Sequence, residues 1–125
     1  MTPFLNLARR TARGSHGHQQ YLVSAIITMG SRVLSIGINK NKTHSIMGNL
    51  KHLHAEADAI LKIRDKYRLI GADIFVTRSN PNGRIGMARP CPICMKIIRE
   101  HKIKSITYTD KNGDLKYEEV GYQWV

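Results

Sequence analysis

Two short stretches of this chain combine residue types and spacings that could do chemistry together. His54-Ala55-Glu56 places an imidazole two residues before a carboxylate, and Pro90-Cys91-Pro92-Ile93-Cys94 places two thiols three residues apart. The chain has only two cysteines, and both lie in the second stretch. One His and two Cys can hold Zn2+ while leaving its fourth position open to water. A carboxylate close to the His can then move protons without being a ligand itself. The chemistry implied is metal-assisted hydrolysis. Two other readings use the same residues. A closed structural zinc site would need a fourth ligand, for which His44, His52 and His101 are the candidates. A thioredoxin-like redox pair would suit Cys-Pro-Ile-Cys at a helix start, although Gly86 to Pro90 before it reads as a loop rather than a strand.

These residues must be positioned by a small scaffold. The 125 residues suggest one compact domain over 1–125, large enough for a hydrophobic core without disulfide staples. No apolar run approaches the roughly 18–20 residues needed to cross a bilayer, so no membrane partner is expected. Phe4 and Leu5 precede the basic residues near the start, the reverse of a secretory signal, and none is read. With its cysteines in metal-type spacing, the chain is expected in a reducing, cytoplasmic compartment. Twenty Lys and Arg against nine Asp and Glu give a formal charge of +11. Such a surface attracts phosphate-bearing ligands or single-stranded nucleic acid, and it also serves solubility.

Hydrophobic spacing predicts a helix over 3–13 and strands over Tyr21–Thr28 and Val33–Ile38, joined by a turn at Met29–Arg32. A second helix is predicted from His52 to Tyr67, with Ala57, Ile60, Leu61 and Arg64 along its buried stripe and edge. A strand over Ala72–Thr77 follows, then a long loop over Ser79–Pro90. A third helix begins at Cys91 or Pro92, because Pro suits a first helical turn, and runs to about Lys102. Strands over Ile103–Thr109 and Leu115–Val120 flank Asp110-Lys111-Asn112-Gly113-Asp114, whose Asn-Gly is a hairpin signal. The result is an α/β domain, a three-layer α-β-α arrangement around a mixed five-stranded sheet whose fourth and fifth strands form a hairpin. Both halves of the motif then sit at helix N-termini, where the helix dipole lowers a thiol's pKa and favours the thiolate.

The pairing of H-x-E with P-C-x-x-C, each in a strand–helix context, resembles the cytidine/deoxycytidylate deaminase superfamily from about Leu5 to Val120. The resemblance implies that His54, Cys91 and Cys94 hold Zn2+ and that Glu56 is the proton shuttle. It implies deamination of a cytosine nucleoside or nucleotide to the uracil form, with loss of ammonia. Asn39, in Gly37-Ile38-Asn39, resembles the G-x-N whose Asn contacts the sugar in nucleotide-type members; it also reads as an ordinary turn Asn. Ala25 matches a small residue lining the base pocket in relatives and also reads as simple core packing. Ala55 and Pro90, inside the motifs, join the expected substrate-binding set. Arg89, with Arg78 and Arg84, could clamp a phosphate or simply solubilise the surface.

His54-Ala55-Glu56-Ala57-Asp58-Ala59-Ile60 is similar to deoxycytidylate deaminase helices, whereas a terminal hairpin is shared with free-nucleoside cytidine deaminases. A homo-oligomer is expected by resemblance. Two alternatives stay open: a deaminase acting on cytosine or adenine in single-stranded DNA or RNA, and a non-catalytic, zinc-stabilised nucleic-acid-binding module.

Overall fold

The computed structural model describes residues 22–40, 42–48, 52–79 and 85–121. Strand β1 (Leu22–Met29) turns through Gly30, at φ +61°, into the antiparallel β2 (Arg32–Ile38). A left-handed backbone suits glycine there because it has no Cβ to clash. After a 3₁₀ turn at Ser45–Met47 come helix α1 (Ala55–Leu61), a second 3₁₀ turn at Lys66–Leu69, and strand β3 (Asp73–Ser79). The two-residue β4 (Ile85–Gly86), helix α2 (Pro92–Glu100), β5 (Ser105–Thr109) and β6 (Leu115–Glu119) complete the described chain.

The main sheet runs β2-β1-β3-β5-β6, with β4 hydrogen-bonded to the end of β3. Only the β3–β5 neighbours are parallel, so the sheet is mixed, as the sequence predicts. β2 and β3 both run antiparallel to β1 and are therefore parallel to each other, with α1 crossing between them. Both crossovers, β2-α1-β3 and β3-α2-β5, advance the same way across the sheet. Because such crossovers are right-handed, α1 and α2 are placed on one face. Each helix also follows the carboxyl end of the strand that opens its crossover, β2 for α1 and β3 for α2, so both N-termini open at one edge of the sheet.

The core follows from strand alternation. Ala25, Ile27, Ile74, Val76, Ile106 and Tyr108 face the helices, in the register Ala25↔Val76↔Tyr108 and Ile27↔Ile74↔Ile106. Ala57, Ile60, Ile97 and Ile98 meet them from α1 and α2. Burying such aliphatic side chains contributes about 1.5–3 kcal/mol each. At Gly37 on β2, a Cβ would stand 2.2 Å from the Ala55 carbonyl oxygen and 2.4 Å from the Ala59 nitrogen. Only glycine lets α1 lie this close, and the Ser35 hydroxyl donates to the Ala59 carbonyl across the same seam (2.8 Å).

Several boundaries differ from the sequence reading. The helix predicted over His52–Tyr67 is α-helical only from Ala55 to Leu61. At its front, Leu53 and Lys40 exchange both backbone hydrogen bonds (2.9 and 3.0 Å), which keeps the chain extended up to His54. At its end, the Ile63 N–H reaches back only to Ile60, and the Lys66 ammonium donates to the carbonyls of Ile60 and Ile63. The Asp65 side chain accepts from the Tyr67 N–H and starts the 3₁₀ turn instead. Ile63 is consequently buried while Arg64 is exposed. Within the predicted long loop, Ile85 and Gly86 pair with Ser79 and Arg78 as β4. The terminal hairpin is present: the Asp110 carboxylate accepts from the N–H groups of Asn112 and Asp114, and Gly113 takes φ +83°. The predicted helix over 3–13 and Arg84 lie outside the described residues.

Candidate active site

His54 and Cys91 each occupy the position just before a helix, with extended backbones, and neither side chain caps its helix. Both side chains are therefore available to something beyond the helix end. Cys94 lies one turn into α2 and is buried; His54 and Cys91 are half-buried. His54 Nδ1 stands 3.5 Å from Cys91 Sγ and 3.4 Å from Cys94 Sγ. Tetrahedral zinc, with Zn–S of about 2.3 Å and Zn–N of about 2.0 Å, would separate each sulfur from the nitrogen by about 3.5 Å. The donor set thus fits Zn2+ in type and spacing. Both cysteines are free thiols rather than a disulfide.

All three ligand atoms lie within 4.8 Å of one another, and no fourth His, Cys, Asp or Glu joins the group among the described residues. Three protein ligands are what a catalytic zinc needs, whereas a structural site is closed by four. His101 ends α2 with its Nδ1 on the Ile97 carbonyl (2.8 Å), and His44 accepts from the Ile46 N–H to cap the first 3₁₀ turn.

Glu56, in the first turn of α1, is only 5% exposed. Burial pushes its carboxyl up to about 7, against the opposing effects of its own backbone N–H and the Cys94 thiol. A carboxyl near neutrality can both accept and donate a proton at working pH. Burial, and secondarily the charge of His52, lowers His54, which favours the neutral imidazole that ligates metal. The helix-start argument for a lowered thiol does not hold for Cys94. Its burial, with Glu56 and Cys91 beside it, pushes the thiol up. Metal binding must therefore displace a proton there.

Ala55, Pro90 and Arg89 adjoin the three donors in sequence, whereas Ala25 lies on β1 and Asn39 at the end of β2. Asn39 follows β2; its side-chain oxygen accepts from the Val23 N–H (3.0 Å) and its own N–H donates to the Val23 carbonyl (3.2 Å). Ala25, opposite Gly37 and Val76, and Ala55 are fully buried, and Pro90 is buried beside Cys91. Arg89 donates through Nε and Nη2 to the two carboxylate oxygens of Glu118 on β6 (2.7 and 3.1 Å). The Tyr108 hydroxyl donates to the same carboxylate (2.7 Å). Arg89, one of the three arginines that could clamp a phosphate, is thus engaged by the hairpin. The Ala88 N–H to the Thr109 carbonyl (2.8 Å) and the Thr109 hydroxyl to the Gly86 carbonyl (3.0 Å) fasten the same loop to β5.

Asp58 carries the largest feature absent from the sequence reading. It is 4% exposed, yet accepts from the Ile38 N–H (3.1 Å) and the Lys40 ammonium (2.9 Å), with the Lys62 ammonium at 3.3 Å. Burial alone would raise its carboxyl; the Lys40, Ile38 and Lys62 contacts together hold it below its ordinary value. The i,i+4 spacing to Lys62 was a readable signal. The link to Lys40 was not.

A right-handed α/β scaffold presenting one His and two Cys at paired helix N-termini, with a buried Glu between, defines a zinc-site deaminase fold. Residues 2–110 match the cytidine and deoxycytidylate deaminase zinc-binding region, and the chain belongs to that family. The family and the donor set together make Zn2+ the cofactor. Among solved structures, cytidine deaminase from Burkholderia pseudomallei is similar at a TM-score of 0.68 and 19% identity, covering 97% of this chain and 94% of that one. The dCMP deaminase of cyanophage S-TIM5, in complex with dCMP and dUMP, is similar at 0.62 and 22%, covering 89% and 85%. Cytidine deaminase from Mycobacterium tuberculosis is similar at 0.57 and 16%, covering 97% and 93%. At these identities the likeness concerns the fold. No curated protein matches.

Proposed function

We propose that the chain hydrolyses the exocyclic amine of a cytosine nucleoside or nucleotide, giving the uracil form and ammonia. The observation that carries the reading is the three-donor group with buried Glu56 touching Cys94. His54, Cys91 and Cys94 would hold Zn2+, which when bound supplies the acidity that makes water nucleophilic near neutral pH. Glu56 takes a proton from that water as its oxygen bonds to C4 of the base, and delivers it to ring N3. Glu56 then takes the remaining proton from the C4 hydroxyl and passes it to the amine nitrogen, the C4–N bond breaks, and ammonia leaves with C4 now a carbonyl. Ala25, Ala55 and Pro90, being buried, back the base site from beneath, and Asn39 contacts the sugar. A mononucleotide is favoured over a polynucleotide, supported by the dCMP- and dUMP-bound relative.

Ammonia release from cytidine, deoxycytidine, CMP, dCMP, adenosine and single-stranded DNA tests this directly. Turnover of the first four compounds, with adenosine and DNA untouched, is expected. Deamination confined to DNA, with binding that weakens steeply in salt, would overturn the small-substrate reading. Cys91→Ala and Cys94→Ala should each lose zinc by elemental analysis, and full occupancy in either would remove that residue from the ligand set.

A further inference from the structure

We infer that Asp58 is a positioning residue, tying the end of β2 where Asn39 stands to the helix that carries Glu56. The inference rests on the proposed contact between Asn39 and substrate. Helix α1 has seven residues, about two turns, so few contacts set its rotation about its own axis. Asp58 makes more of the polar ones than any other residue of the helix. Its carboxylate holds the backbone N–H of Ile38 and the side chain of Lys40, the residues immediately before and after Asn39. Lys40 also pairs through its backbone with Leu53, the residue before His54. On the helix side, Lys62 lies against the Asp58 carboxylate and donates to the Ile36 carbonyl on β2 (2.8 Å).

These bonds close a ring that runs Ile38, Asn39, Lys40, Leu53, His54, Glu56, Asp58 and back to Ile38. One carboxylate therefore sets how far along β2, and at what rotation, Glu56 meets a base whose sugar Asn39 holds. A purely structural anchor would need only one of these partners. Asp58 grips both neighbours of Asn39, and a buried carboxylate is tolerated because three donors compensate it.

The test separates this role from stability. In protein already carrying Glu56→Gln, which binds without turnover, dCMP affinity is measured by calorimetry with and without Asp58→Asn. Asparagine keeps an acceptor for the Ile38 N–H and loses the grip on both lysines. Zinc should stay at one per chain while dCMP affinity falls about ten-fold. In the active protein KM should rise more than kcat falls. Adding Asn39→Ala to Asp58→Asn should then weaken binding less than the product of the single effects. Should Asp58→Asn fail to fold or lose zinc, Lys40→Met removes the closest charged partner while leaving the helix sequence intact, and the same loss is expected. Unchanged dCMP affinity in the folded variant, with only a lower Tm, overturns the inference. If Asn39→Ala alone leaves dCMP affinity unchanged, the sugar contact fails, and the inference with it. Loss of affinity in Asn39→Ala but in neither Asp58→Asn nor Lys40→Met refutes the inference alone.

Discussion

The two halves of the zinc site are fastened to the sheet by ion pairs of similar length that differ in the burial of the carboxylate. The His-x-Glu half hangs on Asp58, whose side chain is 5% exposed, 2.9 Å from Lys40. The Cys-x-x-Cys half is clamped by Arg89 and Glu118 at 2.7 Å, with side chains 45% and 34% exposed. Distance alone would rank the second pair higher. Burial reverses the order: water and salt screen exposed charges, while a buried carboxylate stripped of its partners keeps its full desolvation cost. Close backbone packing follows the same division. Gly37 lets α1 touch β2 directly, whereas the cysteine loop is held by single hydrogen bonds to β5.

The largest effect should come from a change that spares both anchors. Glu56→Gln keeps the shape of the site and cannot shuttle protons. Zinc should remain at one per chain while turnover falls by at least about 10²–10⁴-fold, as general acid–base steps contribute that much. Near-normal turnover would separate the chemistry from this carboxylate.

Next comes the buried anchor. Asp58→Ala should destabilise the fold by about 1–3 kcal/mol in urea unfolding, because it leaves the Ile38 N–H without its acceptor while both lysines, 34% and 47% exposed, can hydrate. A loss under about 1 kcal/mol would mean burial does not distinguish the two anchors. A pH titration sharpens the point. Asp58 is held below its ordinary 3.8, so the folded chain keeps it ionised at lower pH than the unfolded chain does. Its contribution is therefore complete above that ordinary value and fades as pH falls through the folded one. Asp58→Asn should flatten the acid limb of the stability profile, and an unchanged limb would assign acid sensitivity elsewhere.

The smallest effect belongs to the exposed clamp. Arg89→Ala, Glu118→Ala and the double variant should show a coupling of about 1 kcal/mol or less, shrinking in high salt. A coupling above that, or one indifferent to salt, would make the hairpin clamp equal to the buried anchor.

Local features were legible in the sequence wherever one stretch of chain carried its own signal. H-x-E and P-C-x-x-C are short, and the expectation of Zn2+ followed from residue types alone. β-forming residues and short apolar runs revealed every strand but β4, Asn-Gly revealed the hairpin, and Pro92 marked the start of α2. The length of α1 was not legible, because its ends are set by Lys40 pairing with Leu53 and by Lys66 reaching back to two carbonyls. The roles of Asp58 and Arg89 were hidden for the same reason. A charged side chain chooses its partner across the sheet, and nothing local says whether it will face water, a phosphate or another strand.

What the residues themselves dictate is therefore the chemistry: three soft and borderline donors suited to zinc and a carboxylate close enough to move protons. Tertiary structure decides how those groups meet. Two right-handed crossovers bring the helix starts to one edge of the sheet, and Gly37 admits the helix. The buried Asp58 carboxylate then ties it to Ile38 and Lys40 at the end of β2. Those are consequences of packing and chirality over the whole chain, which no single segment contains.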